Sequence, residues 1–114
     1  VSDDHGNSIG SATAIGTNTT VAGAINGGGD QDYFRITLTA AGTLTVYTTG
    51  STDTFGQLLD GNGVELASND DATDLNFRIS RSVNAGTYYI AVRHFDGAGT
   101  GSYSLRADFV PVPP

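Results

Sequence analysis

The chain predicts a single all-β domain, an antiparallel β-sandwich of about eight short strands with jelly-roll-like connections. Three observations carry that expectation. Apolar and polar residues alternate with period two, as Phe34, Ile36 and Leu38 do against Tyr33, Arg35 and Thr37. Eleven of the twelve acids are aspartates, 16 residues are glycine, and threonine is abundant, a composition that disfavours helix and favours strands joined by oxygen-rich turns. Turn signals also recur at regular spacing, the strongest being Asp60-Gly61-Asn62-Gly63. The 114 residues leave room for one domain, and a fold of that size buries about two thirds of its unfolded surface.

Taken in order, residues 1–20 form a small, polar arm with few apolar anchors, expected to lie along the domain and to be tied down by something other than a core. The sandwich is expected over residues 21–110. Val21 to Ile25 is a short strand stopped by Asn26-Gly27-Gly28-Gly29, and Asp32 to Thr39 is the alternating strand already described. Ala41-Gly42 turns into Thr43 to Thr49, where Leu44 and Val46 continue the apolar face. Phe55 to Leu59 and Val64 to Ser68 flank the Asp60–Gly63 turn. Leu75 to Val83 points Phe77 and Ile79 inward, and Thr87 to Phe95 does the same with Tyr88, Ile90 and Val92. Gly101 to Val110 presents Tyr103, Leu105, Ala107 and Phe109 on one face. Pro111 to Pro114 reads as a stiff linker that stays out of the sheets, which predicts that the domain is one part of a longer chain.

A faint repeat runs through these elements. Phe34-Arg35-Ile36-Thr37 returns as Phe77-Arg78-Ile79-Ser80, and Ala41-Gly42-Thr43-Leu44-Thr45-Val46 returns as Ala85-Gly86-Thr87-Tyr88-Tyr89-Ile90. Two related halves of the fold would explain it; so would the common look of any Ala-Gly-Thr turn followed by a strand.

Charge and composition narrow the function. Five arginines and no lysine stand against twelve acids, giving a net charge of -7 and a pI near 4.2. Phosphate backbones and anionic lipid surfaces would repel such a chain, so neither a nucleic-acid nor a membrane partner is expected. Without cysteine there is no disulfide framework, thiolate metal site or cysteine nucleophile. The two histidines, His5 in the arm and His94 at a strand end, fit no triad or zinc-ligand spacing, and no enzyme activity is expected.

The aspartates point instead to a hard cation, because Ca²⁺ takes six to eight oxygens from flexible loops. One candidate group joins Asp3, Asp4 and Asn7 of the arm to Asp30 and Asp32 at the mouth of a strand. A hairpin centred on Gly61-Asn62 gives a second, bringing Asp53 close to Asp70 and Asp71, with Asp74 and Asn76 nearby. The alternative for both groups is solvated turn carboxylates bonded to their own backbone. Tyr47, Tyr89 and Arg93, with Phe95 at a strand end, fall on the side of their strands opposite the core. They suggest either a ligand-binding face or ordinary cross-strand pairing.

Several of these segments together resemble one family. They are Asp3-Asp4-His5-Gly6-Asn7-Ser8, Gly29-Asp30-Gln31-Asp32-Tyr33-Phe34, Gly42 to Gly50, Ala85-Gly86-Thr87-Tyr88-Tyr89-Ile90 and Gly101-Ser102-Tyr103-Ser104-Leu105. In this order they resemble the bacterial pre-peptidase C-terminal domain, and the collagen-binding domains of clostridial collagenases are similar. The resemblance implies a jelly-roll sandwich that serves as a non-catalytic module of a secreted bacterial protein, a protease or other extracellular hydrolase. By position it implies Ca²⁺ held by Asp3, Asn7, Asp30 and Asp32, with Asp4 and Tyr103 as further ligands. Ser8 stands where a second acid would help, so one ion is expected rather than two. The implied partners are the catalytic domain of the same parent chain and an extracellular polymer or protein such as collagen. The rival readings are a structural, secretion or spacer domain whose calcium is purely structural, and a carbohydrate-binding module, ranked last because the chain has no tryptophan.

Overall fold

The structure, a computed structural model, describes residues 9–25, 30–50, 52–70, 76–95 and 99–112. Among these residues a 3₁₀ turn, Ile9–Ser11, precedes nine strands: β1 (Thr13–Ala14), β2 (Thr19–Ile25), β3 (Gln31–Leu38), β4 (Gly42–Thr49), β5 (Thr54–Leu59), β6 (Glu65–Asn69), β7 (Arg78–Val83), β8 (Gly86–His94) and β9 (Gly101–Pro111). They form two sheets, one of five strands in the order β1-β3-β8-β5-β6 and one of four in the order β2-β9-β4-β7. All eight expected strands are present, and β1 is the addition.

Alternation of side chains builds the core. Phe34, Ile36 and Leu38 of β3, Ile90 and Val92 of β8 and Leu58 of β5 face Leu44 and Val46 of β4, Ile79 of β7 and Leu105 and Ala107 of β9 across the space between the sheets. Phe34 and Phe77 are both fully buried. The Phe77 ring lies where a side chain on residue 56 would stand, so β5 carries Gly56 in the middle of a strand.

Each connection crosses to the opposite sheet except β5–β6, which is a hairpin. The β3–β4 and β7–β8 units therefore have one strand in each sheet, and the repeat gains a structural meaning. β3 pairs with β8 while β4 pairs with β7, so each copy's first strand lies against the other copy's second strand.

Most strand ends move by one to three residues, and the two ends of the chain differ from expectation in kind. The described part of the arm enters both sheets: Thr13 and Ala14 run parallel to Phe34 and Arg35, the Ile15 N–H donates to the Arg35 carbonyl at 2.8 Å, and β2 already begins at Thr19. At the other end, Pro111 joins a sheet. It stands opposite Gly42 as the last residue of β9, and the Val112 N–H donates to the Ala41 carbonyl at 3.0 Å. β2 pairs with β9 only as far as Ala107, so Pro111 meets a neighbour on the β4 side alone, a position proline tolerates.

Candidate functional site

Because connections alternate between the two ends of the sandwich, those linking β2 to β3, β4 to β5, β6 to β7 and β8 to β9 gather at one end. Asp30, Asp32, Asp53 and Asp70 all belong to it. Asp32 is the second residue of β3 and falls on the inward register with Phe34, which leaves it fully buried opposite Val92. Its Oδ2 accepts a hydrogen bond from the Tyr103 hydroxyl at 2.5 Å. Tyr103, near the start of β9, reaches across from the other sheet, and its ring occupies the space a side chain on Gly23 of β2 would need. Gly23, Tyr103 and Asp32 thus form a single stack that closes this end. Asp30 lies half-buried just outside it. Asp3, Asp4 and Asn7, the arm's share of the first group, lie outside the described residues, as does His5.

The second group is assembled differently from the hairpin expectation. The turn closes Asp60 on Val64, with the Asp60 N–H donating to the Val64 carbonyl and the Gly63 N–H to the Asp60 carbonyl. A bulge at Leu58/Leu59 then shifts the ladder again, so that Gly56 stands opposite Asn69. Continued by one pair, this register sets Asp70 level with Phe55, two residues away from Asp53. The loop is one residue longer than a two-residue turn, and the bulge adds the other residue. Asp53 is anchored by its backbone, whose carbonyl accepts the Phe95 N–H at 2.9 Å; its buried Oδ1 has no hydrogen-bond partner among the described residues. Asp71 and Asp74 lie outside the described residues. Among the described residues no three acidic or histidine side chains converge as metal ligands.

Between these carboxylates lies a set of buried polar side chains, of which the sequence had named only Asn76, as a neighbour of the second group. Thr48 and Thr54 share a hydroxyl hydrogen bond of 2.6 Å, Thr52 donates to the Ser102 carbonyl at 2.5 Å, and the Asn76 amide donates to the Gly50 carbonyl at 3.0 Å. Thr52 and Asn76 thereby satisfy two backbone carbonyls at this end. Threonine in a β-protein is so common that nothing marked these three in advance.

Tyr47, Tyr89 and Arg93 do not share a face. Tyr47 lies on the outer side of the four-stranded sheet, beside Arg106 and with the Arg78 guanidinium 5.1 Å from its ring centre. Tyr89 and Arg93 lie on the outer side of the five-stranded sheet, where the Arg93 guanidinium sits 4.3 Å from the Phe55 ring centre and donates to the His94 and Phe95 carbonyls. The alternation of connections explains the separation: β4 and β8 belong to different sheets. Phe95 is exposed, and Tyr33 joins Tyr89 on the same outer side.

The geometry defines a two-sheet, jelly-roll-like module with a carboxylate-rich end. Its sequence identifies it further: the family model of the bacterial pre-peptidase C-terminal domain matches residues 30–94, more than half of the chain. The chain belongs to that family. Among solved structures it is similar to the pre-peptidase C-terminal domain of a collagenase from Bacillus anthracis, with 23% identity over 85% of this chain and 94% of that one and a TM-score of 0.73. It is also similar to a periplasmic inhibitor of g-type lysozyme from Aeromonas hydrophila (17% identity, 87% and 97% covered, TM-score 0.64). A mitogen derived from Yersinia pseudotuberculosis is similar at 19% identity, with 84% and 88% covered and a TM-score of 0.60. At these identities the likenesses establish the fold. No curated protein sequence matches the chain.

Proposed function

We propose that this domain is a non-catalytic, calcium-binding accessory module of a secreted bacterial protein, a protease or another extracellular hydrolase, and that it helps the parent chain engage an extracellular target. The observation that carries the reading is Asp32, a carboxylate with no solvent exposure at the mouth of β3. Removing a charge from water is costly unless compensating charge or hydrogen bonds surround it. The Tyr103 hydroxyl supplies one such bond, and Asp30 beside it makes the locality more acidic. An oxygen-only donor set of this kind suits Ca²⁺. Asp30 and Asp32 would hold the ion from the sandwich, and Asp3, Asp4 and Asn7 would complete its shell from the arm. Bound there, the ion would supply positive charge and fasten the arm to the domain. Membership of a family of pre-peptidase C-terminal domains supports the accessory role and the extracellular setting.

The five-stranded sheet's outer side, with Tyr33, Tyr89, Phe55 and Arg93, is the better surface for a protein or polymer such as collagen, since it gathers more aromatic side chains than the Tyr47 side. A spacer role with purely structural calcium is favoured by a different observation: the side chains expected to form a binding platform are divided between two faces.

A thermal melt in EDTA, in millimolar calcium and in magnesium tests the calcium reading. An ion at a hundredfold excess over its Kd stabilises the folded state by about 2.7 kcal/mol, a rise of roughly ten degrees for a domain of this size. The expected result is a calcium-selective rise that is lost in Asp32→Ala and reduced in Asp30→Asn. Equal melts in EDTA and calcium would overturn it. Sedimentation with insoluble collagen and with chitin separates the target-binding role from the spacer role.

A further inference from the structure

The end of the sandwich opposite Asp32 carries a cavity that the calcium reading does not use. It measures about 380 Å³ and opens between the edges of the two sheets, where Leu66 of β6, Val83 of β7, Tyr88 of β8 and Val112 after β9 form apolar walls. Val83 and Tyr88 are buried, and the Tyr88 hydroxyl donates to the Asn84 carbonyl at 2.8 Å, which fixes the ring as a wall. The volume sits at the small end of the roughly 300–1,000 Å³ range of ligand sites.

Arg81 stands at the rim. Its Nη1 donates to the Leu66 carbonyl at 3.1 Å, bracing β7 against β6 and holding the guanidinium in place. Of the other arginines, Arg106 pairs with Asp108 at 2.8 Å, Arg78 lies over Tyr47 and Arg93 over Phe55, while Arg35 lies exposed on the outer side of β3, away from the cavity. Arg81 has no carboxylate partner among the described residues, in a chain whose net charge is -7. A guanidinium offers five donors in a planar fork matched to a carboxylate, and one bond to Leu66 leaves most of them available.

We propose that this cavity binds an apolar residue bearing a free carboxylate, with the side chain against Leu66, Val83 and Tyr88 and the carboxylate on Arg81. The combination of one fixed cation and apolar walls disfavours a phosphate-rich ligand, which the chain's acidity would repel. Two sources share the chemistry, the C-terminal residue of a peptide and a short branched-chain acid. The proposal does not rest on the calcium reading, because the cavity lies at the other end of the sandwich.

The test is an amide NMR titration of the domain with N-acetyl-leucine, N-acetyl-leucinamide and isovalerate. N-acetyl-leucine is expected to shift the amides of Leu66, Val83 and Tyr88 saturably, with the leucinamide weaker by roughly tenfold or more, the scale of a lost charge-assisted hydrogen bond. Arg81→Gln, exposed and still able to donate to Leu66, should lose affinity for the acid by the same factor while keeping its fold, and Arg35→Gln should bind as the unaltered domain does. Weaker binding of isovalerate assigns the site to peptide C-termini; equal binding assigns it to branched-chain acids. Equal affinity for acid and amide, undiminished binding in Arg81→Gln, or no saturable shift overturns the proposal.

Discussion

A buried carboxylate, a tyrosine hydroxyl and a glycine with no room for a side chain stand in line at the acidic end, and each explains the next. Gly23 is small because the Tyr103 ring lies on it, and Tyr103 lies there because its hydroxyl meets Asp32. A hydrogen bond to a buried charged group contributes about 1.5–3 kcal/mol. Tyr103→Phe should therefore lower stability by about that amount in EDTA, measured by urea denaturation. Asp32→Asn removes the charge that the hydroxyl serves, so the double variant should lose clearly less than the sum of the two single losses. Additive losses would show that the two side chains do not act together. The sequence offered Tyr103 as a further calcium ligand by resemblance; in the structure its hydroxyl donates to Asp32, the carboxylate of the same group. Only the register between sheets brings the two together, and no local pattern encodes it.

At the scale of elements, the strands were legible and the joints between them less so. Period-two alternation made β3, β4, β8 and β9 plain, because each buries one face and leaves the other wet. The β5–β6 hairpin shows where local reading ends. Its Asp-Gly-Asn-Gly turn was evident, yet Asp60 closes it with its side chain: Oδ1 accepts the N–H groups of Asn62 at 2.8 Å and Val64 at 3.0 Å. That arrangement lengthens the loop and, with the bulge, moves Asp70 away from Asp53. Asp60→Ala should cost about 1–2 kcal/mol in a denaturant melt, the scale of losing a side-chain cap on exposed backbone donors, whereas Asp60→Asn, which keeps the acceptor, should cost a fraction of that. A loss in Asn as large as in Ala would mean that charge, not acceptance, holds the turn. The division of Tyr47 from Tyr89 has the same origin, since nothing local in a strand says which sheet it will join.

Within the whole molecule two similar two-strand units exchange strands, and four aspartates gather at one end of it. In both β3–β4 and β7–β8 the chain crosses from one sheet to the other, and each unit completes the other's sheets. One end carries Asp30, Asp32, Asp53 and Asp70, while the opposite end carries Asp60, Glu65, Arg81 and the cavity. A net charge of -7 in a domain this small opposes compaction, and like charges drawn to one end oppose it most. Two remedies are distinguishable: diffuse screening, which acts over a Debye length of about 10 Å at 0.1 M salt, and an ion held at a site. In EDTA the melting temperature should rise as sodium chloride increases from about 10 mM to about 300 mM, because screening relieves the repulsion. In saturating calcium the same salt series should produce a smaller rise, since an ion bound at the proposed site of Asp30 and Asp32 would already have neutralised part of that end. Magnesium at matched ionic strength should behave as sodium does, because it gives up its waters reluctantly and suits a flexible carboxylate-and-carbonyl shell poorly. If calcium and magnesium flatten the salt dependence equally, the acidic end gathers counterions without selecting one. A calcium-specific flattening that disappears in Asp32→Ala would place the selective ion at the buried carboxylate.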